Sequence, residues 1–447
     1  MKKAFTVALI LTICCSMAGI AATKWQFVKV FPDTTISWGV GVHGIAVDKA
    51  GKIWICPFGR TNNDSIPGVG GVVAVYIYNA DGTETPLSRI KLITTGTRKD
   101  TLYSSGSIRG ARTDADGNVV VDGYMNTGGD GASKGHMWKL NYQTGVGMAH
   151  VGITGSQGAP AFTSANEMFT TNVAPGNPVR IWAGSDFSTL GNAVDAVSGY
   201  ARTIEVSKDG NDIYQCGYSL GLVYKYHSDN GTLGPYALKD SLAIGCEVES
   251  IGWNTKDGYL YFSSGPIDTI DYSPVKAPWT HTTWYAMDAA TKAIKDSISW
   301  NWGAYPYNLT TVDMGPRPRG IAFSNSGDTA YVACYNHGKA AVQMFKRTLT
   351  SVEPINDNVP SNYTLSQNYP NPFNPSTEIQ FTLNKGGFTT LKVYDMLGKE
   401  VATLVNENLA PGTFKTKFDA ARYASGMYVY TLTSNGVRLT NKMLLMK

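Results

Sequence analysis

Five times the chain writes the same short pattern: an apolar strand, a polar turn containing glycine, and a second alternating strand. It reads HGIAVDKAGKIWIC at residues 43–56, RGARTDADGNVVVDGY at 109–124, RTIEVSKDGNDIYQCGY at 202–218, ESIGWNTKDGYLYFSSG at 249–265 and RGIAFSNSGDTAYVAC at 319–334. A weaker copy, NEMFTTNVAPGNPVRIWAGS at 166–185, falls in the one long gap. Recurrence at about 40 to 50 residues is the signature of a β-propeller, in which each four-stranded blade needs neighbours to bury its faces. The pattern predicts an all-β fold with six blades, seven being the alternative count.

Several repeats carry two further strands. GVVAVYIYNA and LSRIKLITT follow the first hairpin, LVYKYHSD and YALKDSLAI the fourth, HTTWYAMDAA and KAIKDSISW the fifth. The last repeat has only AAVQMFKRT, so KWQFVKVF near the start is expected to supply its missing strand and remove the exposed edges. Composition agrees: 48 glycines, 25 tyrosines and 16% charged residues describe turns and strands rather than solvated helices. The hairpins, above all PRGIAFSNSGDTAYVACY, resemble the YVTN and NHL-like propeller repeats. That resemblance implies a propeller over residues 23–349 and says little about activity.

The N-terminal residues 1–22, MKKAFTVALILTICCSMAGIAA, combine Lys2 and Lys3, an apolar run and small residues at Gly19 and Ala21, the pattern of an export signal peptide. Ile13 before Cys14 does not suit lipid attachment. Without the leader the chain is near charge balance, which excludes a nucleic-acid footprint, and no later apolar run reaches the length of a membrane span. Four cysteines remain, Cys56, Cys216, Cys246 and Cys334, with no CxxC pair, so zinc and haem attachment have no support. Cys216 and Cys246 fall on the same end of neighbouring blades, where an oxidising compartment would allow a disulfide.

From residue 350 the text changes. Residues 350–361 are polar and aperiodic, as in an interdomain linker, and 362–447 carry short alternating strands with turn signals, which predict a small Ig-like antiparallel sandwich. NYPNPFNPSTEIQFTL, VYDMLGKEVATL, LAPGTFKTKFDA, SGMYVYTL and the terminal KMLLMK closely resemble the type A C-terminal sorting domain of the type IX secretion system. The resemblance implies passage through the periplasm to the type IX translocon, removal of the tail by its sorting peptidase, and a cargo released or held at the outer-membrane surface. Within its first motif, Asn368, Tyr369, Pro370, Asn371, Pro372, Phe373, Asn374 and Pro375 form a segment whose prolines fix φ and bias the residues before them toward extended geometry.

Aligning the repeats puts one polar residue of each blade just before its inner strand: His43, Arg109, Asn166, Arg202, Glu249 and Arg319. At the mouth of a central channel, three arginines and a glutamate suit an anionic ligand such as a uronic sugar. The same residues suit a ring of ion pairs that only closes the channel. A divalent ion held by Glu249 and Asn166, as in lactonase propellers, is disfavoured by the arginines and by the lack of an aspartate in the ring. DADGN at 114–118 would place Arg112 as the first ligand of a calcium loop, so it reads as a hairpin turn. Six histidines show no triad or metal spacing, and no metal or cofactor is predicted. Trp279, Trp284, Trp300 and Trp302 crowd one region and suit blade packing better than sugar stacking. The functional expectation is a binding module for polysaccharide or a surface protein. An extracellular lyase or hydrolase on acidic carbohydrate or lactone, and a structural surface component, are the alternatives.

Overall fold

In the computed structural model, the described residues are 25–33, 35–61, 63–127, 134–265, 276, 278–304, 316–335, 341–347, 353–356, 362–409 and 411–447. The proposed signal peptide lies outside them. All five strong repeats form antiparallel hairpins: Val42–Val47 with Ile53–Pro57, Ser107–Thr113 with Val119–Met125, Ile204–Val206 with Asp212–Gly217, Ile251–Asn254 with Tyr259–Ser263, and Arg317–Phe323 with Thr329–Tyr335. Each turn has a glycine with positive φ, such as Gly51 at 80° and Gly117 at 90°, a backbone shape that side chains disfavour.

The weak sixth copy is out of phase. Glu167–Thr171 and Val179–Ala183 do pair as a hairpin, but they are the second and third strands of their sheet. The inner strand is Ala161–Phe162, so the true repeat reads QGAPAFTSANEMFTT. Its turn carries Asn166 at φ 64° where the other turns have glycine. Asparagine is among the few residues with a side chain that visit this left-handed region routinely, and the substitution hides the repeat from a search anchored on glycine.

The hairpins extend outward into a propeller-like array of separate sheets. Four are four-stranded, one has three strands, and one is widened to six by Leu92–Thr95 and Arg98–Thr101. Residues 92–95, expected to finish the first blade, instead bridge in parallel to the outer strand Gly147–Ile153 of the next sheet. The N-terminal strand Trp25–Val30 pairs antiparallel with Val342–Arg347, beside Thr329–Tyr335, as the closure argument requires.

Inner strands follow one another in chain order, the second meeting the chain just before the third at Gly110 and Ala159, and the last packs against the first. Glycines make these approaches close. A Cβ at Gly44 would lie 2.6 Å from the Ala111 nitrogen, one at Gly110 2.6 Å from Ala159 Cα, and one at Gly320 2.8 Å from Ile45 Cγ2. At the other end of the strands the hairpin turns are stitched in a cycle. Lys49 N donates to Gly117 O (3.3 Å), Asn166 Nδ2 to Asp116 Oδ2 (2.7 Å) and Ser164 Oγ to Lys208 O (2.7 Å). Trp253 Nε1 then donates to Val206 O (3.1 Å), Asn254 Nδ2 to Gly327 O (3.0 Å) and Asn325 Nδ2 to Lys49 O (3.1 Å). Between sheets lie buried layers such as Trp54, Val75, Ile108, Val121 and Trp138.

The chain divides into two units, Met1–Arg347 and Thr348–Lys447. The second has two four-stranded sheets: Glu353–Asn356, Gly412–Asp419, Ser376–Leu383 and Thr364–Leu365 in one, and Glu400–Leu409, Gly387–Tyr394, Gly426–Ser434 and Val437–Leu445 in the other. Alternate residues of both, including Ile379, Phe381, Phe414, Leu391, Val393, Tyr430 and Leu445, share one buried cluster. Within the stretch read as linker, Glu353–Asn356 forms a strand on Gly412–Asp419; its remaining residues lie outside the described ones.

Candidate functional site

Five of the six aligned polar residues come together. His43, Arg109, Arg202 and Arg319 surround a cavity of about 10 Å³ with Gln157, Gly158 and Val173, and Glu249 pairs with two of these arginines. Asn166 does not join them: it sits in the hairpin turn at the opposite end, accepting from Ala115 N at 3.3 Å. Gln157, buried at 4% exposure, takes its place, as the corrected repeat QGAPAF requires. The Glu249 and Asn166 pair of the metal reading therefore never assembles, and the described residues include no group of three acidic, histidine or cysteine side chains suited to a metal ion.

The ring is closed by its own charges. Glu249, fully buried, faces Arg317 Nη1 at 3.1 Å and Arg202 Nε at 3.8 Å and contacts the Arg319 guanidinium. Arg319 Nε donates to His43 Nε2 at 3.3 Å, so that nitrogen is unprotonated. Burial and the neighbouring arginines hold the His43 pKa well below the usual histidine range, in keeping with a neutral ring. Aromatic faces back the cations: Arg109 lies 5.0 Å from the Phe58 ring, Arg202 5.0 Å from Tyr218 and Arg319 5.3 Å from Tyr335. A cavity of this size has room for about one water molecule and none for a sugar. Of the two readings open at the sequence level, the geometry matches inter-strand ion pairs that plug the channel.

The opposite mouth is open. A funnel of about 830 Å³ is lined from the last residues of all six inner strands and their turns. Its floor is Arg112, which donates through Nε to Pro160 O (3.2 Å) and through Nη2 to Ile251 O (3.0 Å). The same Nη2 lies 2.8 Å from Glu205 Oε1. One guanidinium thus serves the carbonyl just before the third inner strand, a carbonyl of the fifth and a carboxylate of the fourth, a task its fixed fork of donors suits. Burial pushes the Glu205 carboxyl up to about 7 against the pull of Arg112. Neither residue stood out in the sequence as a site. The available signal was a charged residue where other repeats have alanine, Arg112 and Glu205 matching Ala46 and Ala322.

Other sequence-level candidates resolve structurally. Asp114 Oδ1 accepts from Asp116 N (3.0 Å) and Asn118 N (2.8 Å) while Oδ2 pairs with Lys139 (2.7 Å), so DADGN is a turn. Trp284 and Trp300 are buried in the layer with Tyr261 and Ile298. Cys216 and Cys246 share a buried cluster, yet both are thiols: Cys216 lies 3.6 Å from Thr203 Oγ1, and Cys246 Sγ donates to Ser263 O at 3.5 Å. The expected disulfide is not formed.

In the second unit the proline-rich motif is built into the fold. Asn368, buried, donates through Nδ2 to Pro370 O (3.0 Å) and Thr377 Oγ1 (2.9 Å), and its N–H donates to the Tyr430 hydroxyl (2.9 Å). Phe373 inserts into the shared core, its N–H bonded to Leu444 O at 3.0 Å, while Asn371 Oδ1 accepts from Leu444 N at 2.9 Å. Tyr369 is left 82% exposed. The segment thereby ties itself to the last strand of the chain.

Residues 367–446 match the family model described as the secretion system C-terminal sorting domain. Comparison with curated proteins gives no match. Among solved structures, the chain is similar to PorZ of Porphyromonas gingivalis, described as an essential bacterial surface component of the type IX secretion system. Identity is 11%, the TM-score 0.41, and coverage 90% of this chain and 51% of that one. This chain therefore spans about half the length of that structure. It is also similar to a protein of unknown function from Bacteroides thetaiotaomicron (10% identity, 72% and 76% coverage, TM-score 0.46). A third likeness is to the Swd1 β-propeller domain of Myceliophteria thermophila (8% identity, 69% and 83% coverage, TM-score 0.39). Among the described residues no helix is long and apolar enough to cross a membrane. The second unit of this chain is a C-terminal sorting domain of the type IX secretion system, and the protein that carries it is a substrate of that system, sent to the cell surface or secreted.

Proposed function

We propose that the mature protein is a surface-exposed or released six-bladed propeller, delivered by an Ig-like sorting sandwich, that works as a binding module for glycan or protein partners. Residues 1–22 act as the leader to the periplasm, and the translocon's sorting peptidase removes the tail. The count of six blades, rather than seven, is supported by the six inner strands and six hairpin turns among the described residues, whose turn-to-turn hydrogen bonds return to their start. The observation that carries the binding reading is the contrast between the two ends of that cycle. The polar ring is filled by its own side chains, whereas the other mouth is an open funnel held in a fixed hydrogen-bonded frame.

The extracellular lyase or hydrolase reading has one observation in its favour, Glu205, a carboxyl titrating near neutrality beside an arginine. A glycan array on the purified full chain, followed by product analysis of every glycan retained, separates the two. Retention without bond cleavage supports the binding module. Cleavage that Glu205→Gln abolishes moves the chain to the enzyme class. Indifference to all glycans and to purified surface proteins leaves the structural-component reading in its place.

A further inference from the structure

We propose that the funnel at the hairpin end of the first unit binds a short acidic sugar, a glycan end carrying a uronate carboxylate. This rests on the binding-module reading and names its site and ligand class. The sequence aligned His43, Arg109, Asn166, Arg202, Glu249 and Arg319 as a ring suited either to an anionic ligand or to ion pairs, and the five that come together enclose no room for a sugar.

Size and frame come first. At about 830 Å³ the funnel falls within the range of about 300 to 1,000 Å³ typical of small-ligand sites. Its rim is the cycle of turn-to-turn hydrogen bonds, so a ligand enters a site that needs little ordering on binding.

The charges decide the sign of the ligand. Each acid in the lining already has a cation: Glu205 faces Arg112 at 2.8 Å and Asp114 faces Lys139 at 2.7 Å. Two lining bases, Lys208 and Lys256, are exposed, and among the described residues neither ammonium has a carboxylate at ion-pair distance. Their backbones are nevertheless fixed, Lys208 O by Ser164 Oγ at 2.7 Å and Lys256 N by Asn254 Oδ1 at 3.0 Å. The funnel therefore offers an unbalanced pair of positive charges at a rigid rim.

The remaining wall narrows the class. Most of its polar side chains are engaged in the frame, Thr163 with Glu167, Asn254 with Gly327 O and Asn325 with Lys49 O. Arg112, held by two carbonyls and a carboxylate, is not available to fork around a phosphate. What a ligand meets is two ammoniums and the exposed parts of Phe162, Trp253 and Phe323, half-buried residues whose rings also pack into the clusters behind the wall. A cyclic sugar acid matches that pairing, its C–H groups against the apolar aromatic edges and its carboxylate at a lysine.

The test is calorimetric titration of the full chain with digalacturonate, neutral galactobiose and inorganic phosphate at low and raised salt. Digalacturonate is expected to bind, more weakly as salt rises, with no heat from galactobiose. Lys208→Ala with Lys256→Ala, both at exposed sites that leave packing intact, is expected to weaken binding about tenfold per lysine. Arg109→Ala in the ring is expected to leave digalacturonate binding unchanged. Unaltered digalacturonate binding in the lysine double variant overturns the funnel assignment and leaves the binding-module reading standing. Equal binding of phosphate, or binding of galactobiose, overturns the ligand class. If none of the three probes binds while the glycan array retains another class, or a purified surface protein is bound, the inference falls and the reading survives; if the array and the surface proteins are also blank, both fall.

Discussion

Arg319 donates through Nε to Nε2 of His43 at 3.3 Å, joining residues 276 apart in the chain at the point where the last inner strand meets the first. The contact belongs to a buried network in which Arg319 also faces Glu249 and lies over Tyr335. Removing Arg319 strips the buried Glu249 of one of its three arginine partners and leaves His43 Nε2 without its donor, losses that cost more than the net worth of a single ion pair. Arg319→Ala is expected to destabilise the first unit by about 3 kcal/mol in urea unfolding. Stability unchanged within error would show that the network does not hold the seam.

Close approach between neighbouring inner strands depends on missing side chains. A Cβ at Gly158 would sit 2.1 Å from Arg202 O, a backbone atom that cannot move aside alone. Gly158→Ala is expected to cost about 2 kcal/mol or more, whereas the same change at Gly59, which has open space, should be nearly neutral. Equal melting temperatures of the two variants would contradict the packing.

Much of this could be read in the sequence because propeller hairpins repeat both their strands and their turns. The five strong copies, the seam strand Trp25–Val30 and the sorting motifs were legible. The third sheet was not, since Asn166 adopts the left-handed turn where its counterparts have glycine, shifting the aligned polar residue from Gln157 to the wrong end. Nor was the closed ring. Alignment shows which residues share a level, but whether Arg109, Arg202, Arg317, Arg319 and Glu249 leave space between them depends on rotamers and on Phe58, Tyr218 and Tyr335 behind them. Arg112 escaped notice for a related reason: it answers carbonyls on other strands that only the assembled sheets bring together.

Asp122 is fully buried beside Arg109, and neither carboxyl oxygen accepts a hydrogen bond from the protein. Burial pushes its pKa up to about 8, with Arg109 opposing. Between the unfolded value of about 4 and this folded value the native state holds a proton that the unfolded chain has released, so stability falls as pH rises through that window. The loss from pH 5 to pH 8 should be on the order of 3 kcal/mol, and Asp122→Asn should flatten it. A wild-type stability that rises over the same interval at a rate unchanged in Asp122→Asn would contradict this.

The cysteines among the described residues, Cys56, Cys216, Cys246 and Cys334, are buried thiols. Burial pushes Cys216 up to about 12, so little thiolate forms at neutral pH. Alkylation of the native, unreduced protein should leave Cys216 and Cys246 unlabelled, and both should react once it is unfolded without reductant. Recovery of a linked Cys216 and Cys246 peptide would restore the disulfide that the sequence suggested.

The central claim is that two independently cored units divide the work, the tail directing export and the first unit acting afterward. It is tested most directly by fractionating cells that express the chain without residues 348–447, next to the full chain, with protease accessibility as the readout. The truncated chain should accumulate in the periplasm as a protease-resistant fold, while the full chain reaches the surface or the medium. Surface display of the truncated chain at the level of the full one would contradict the account.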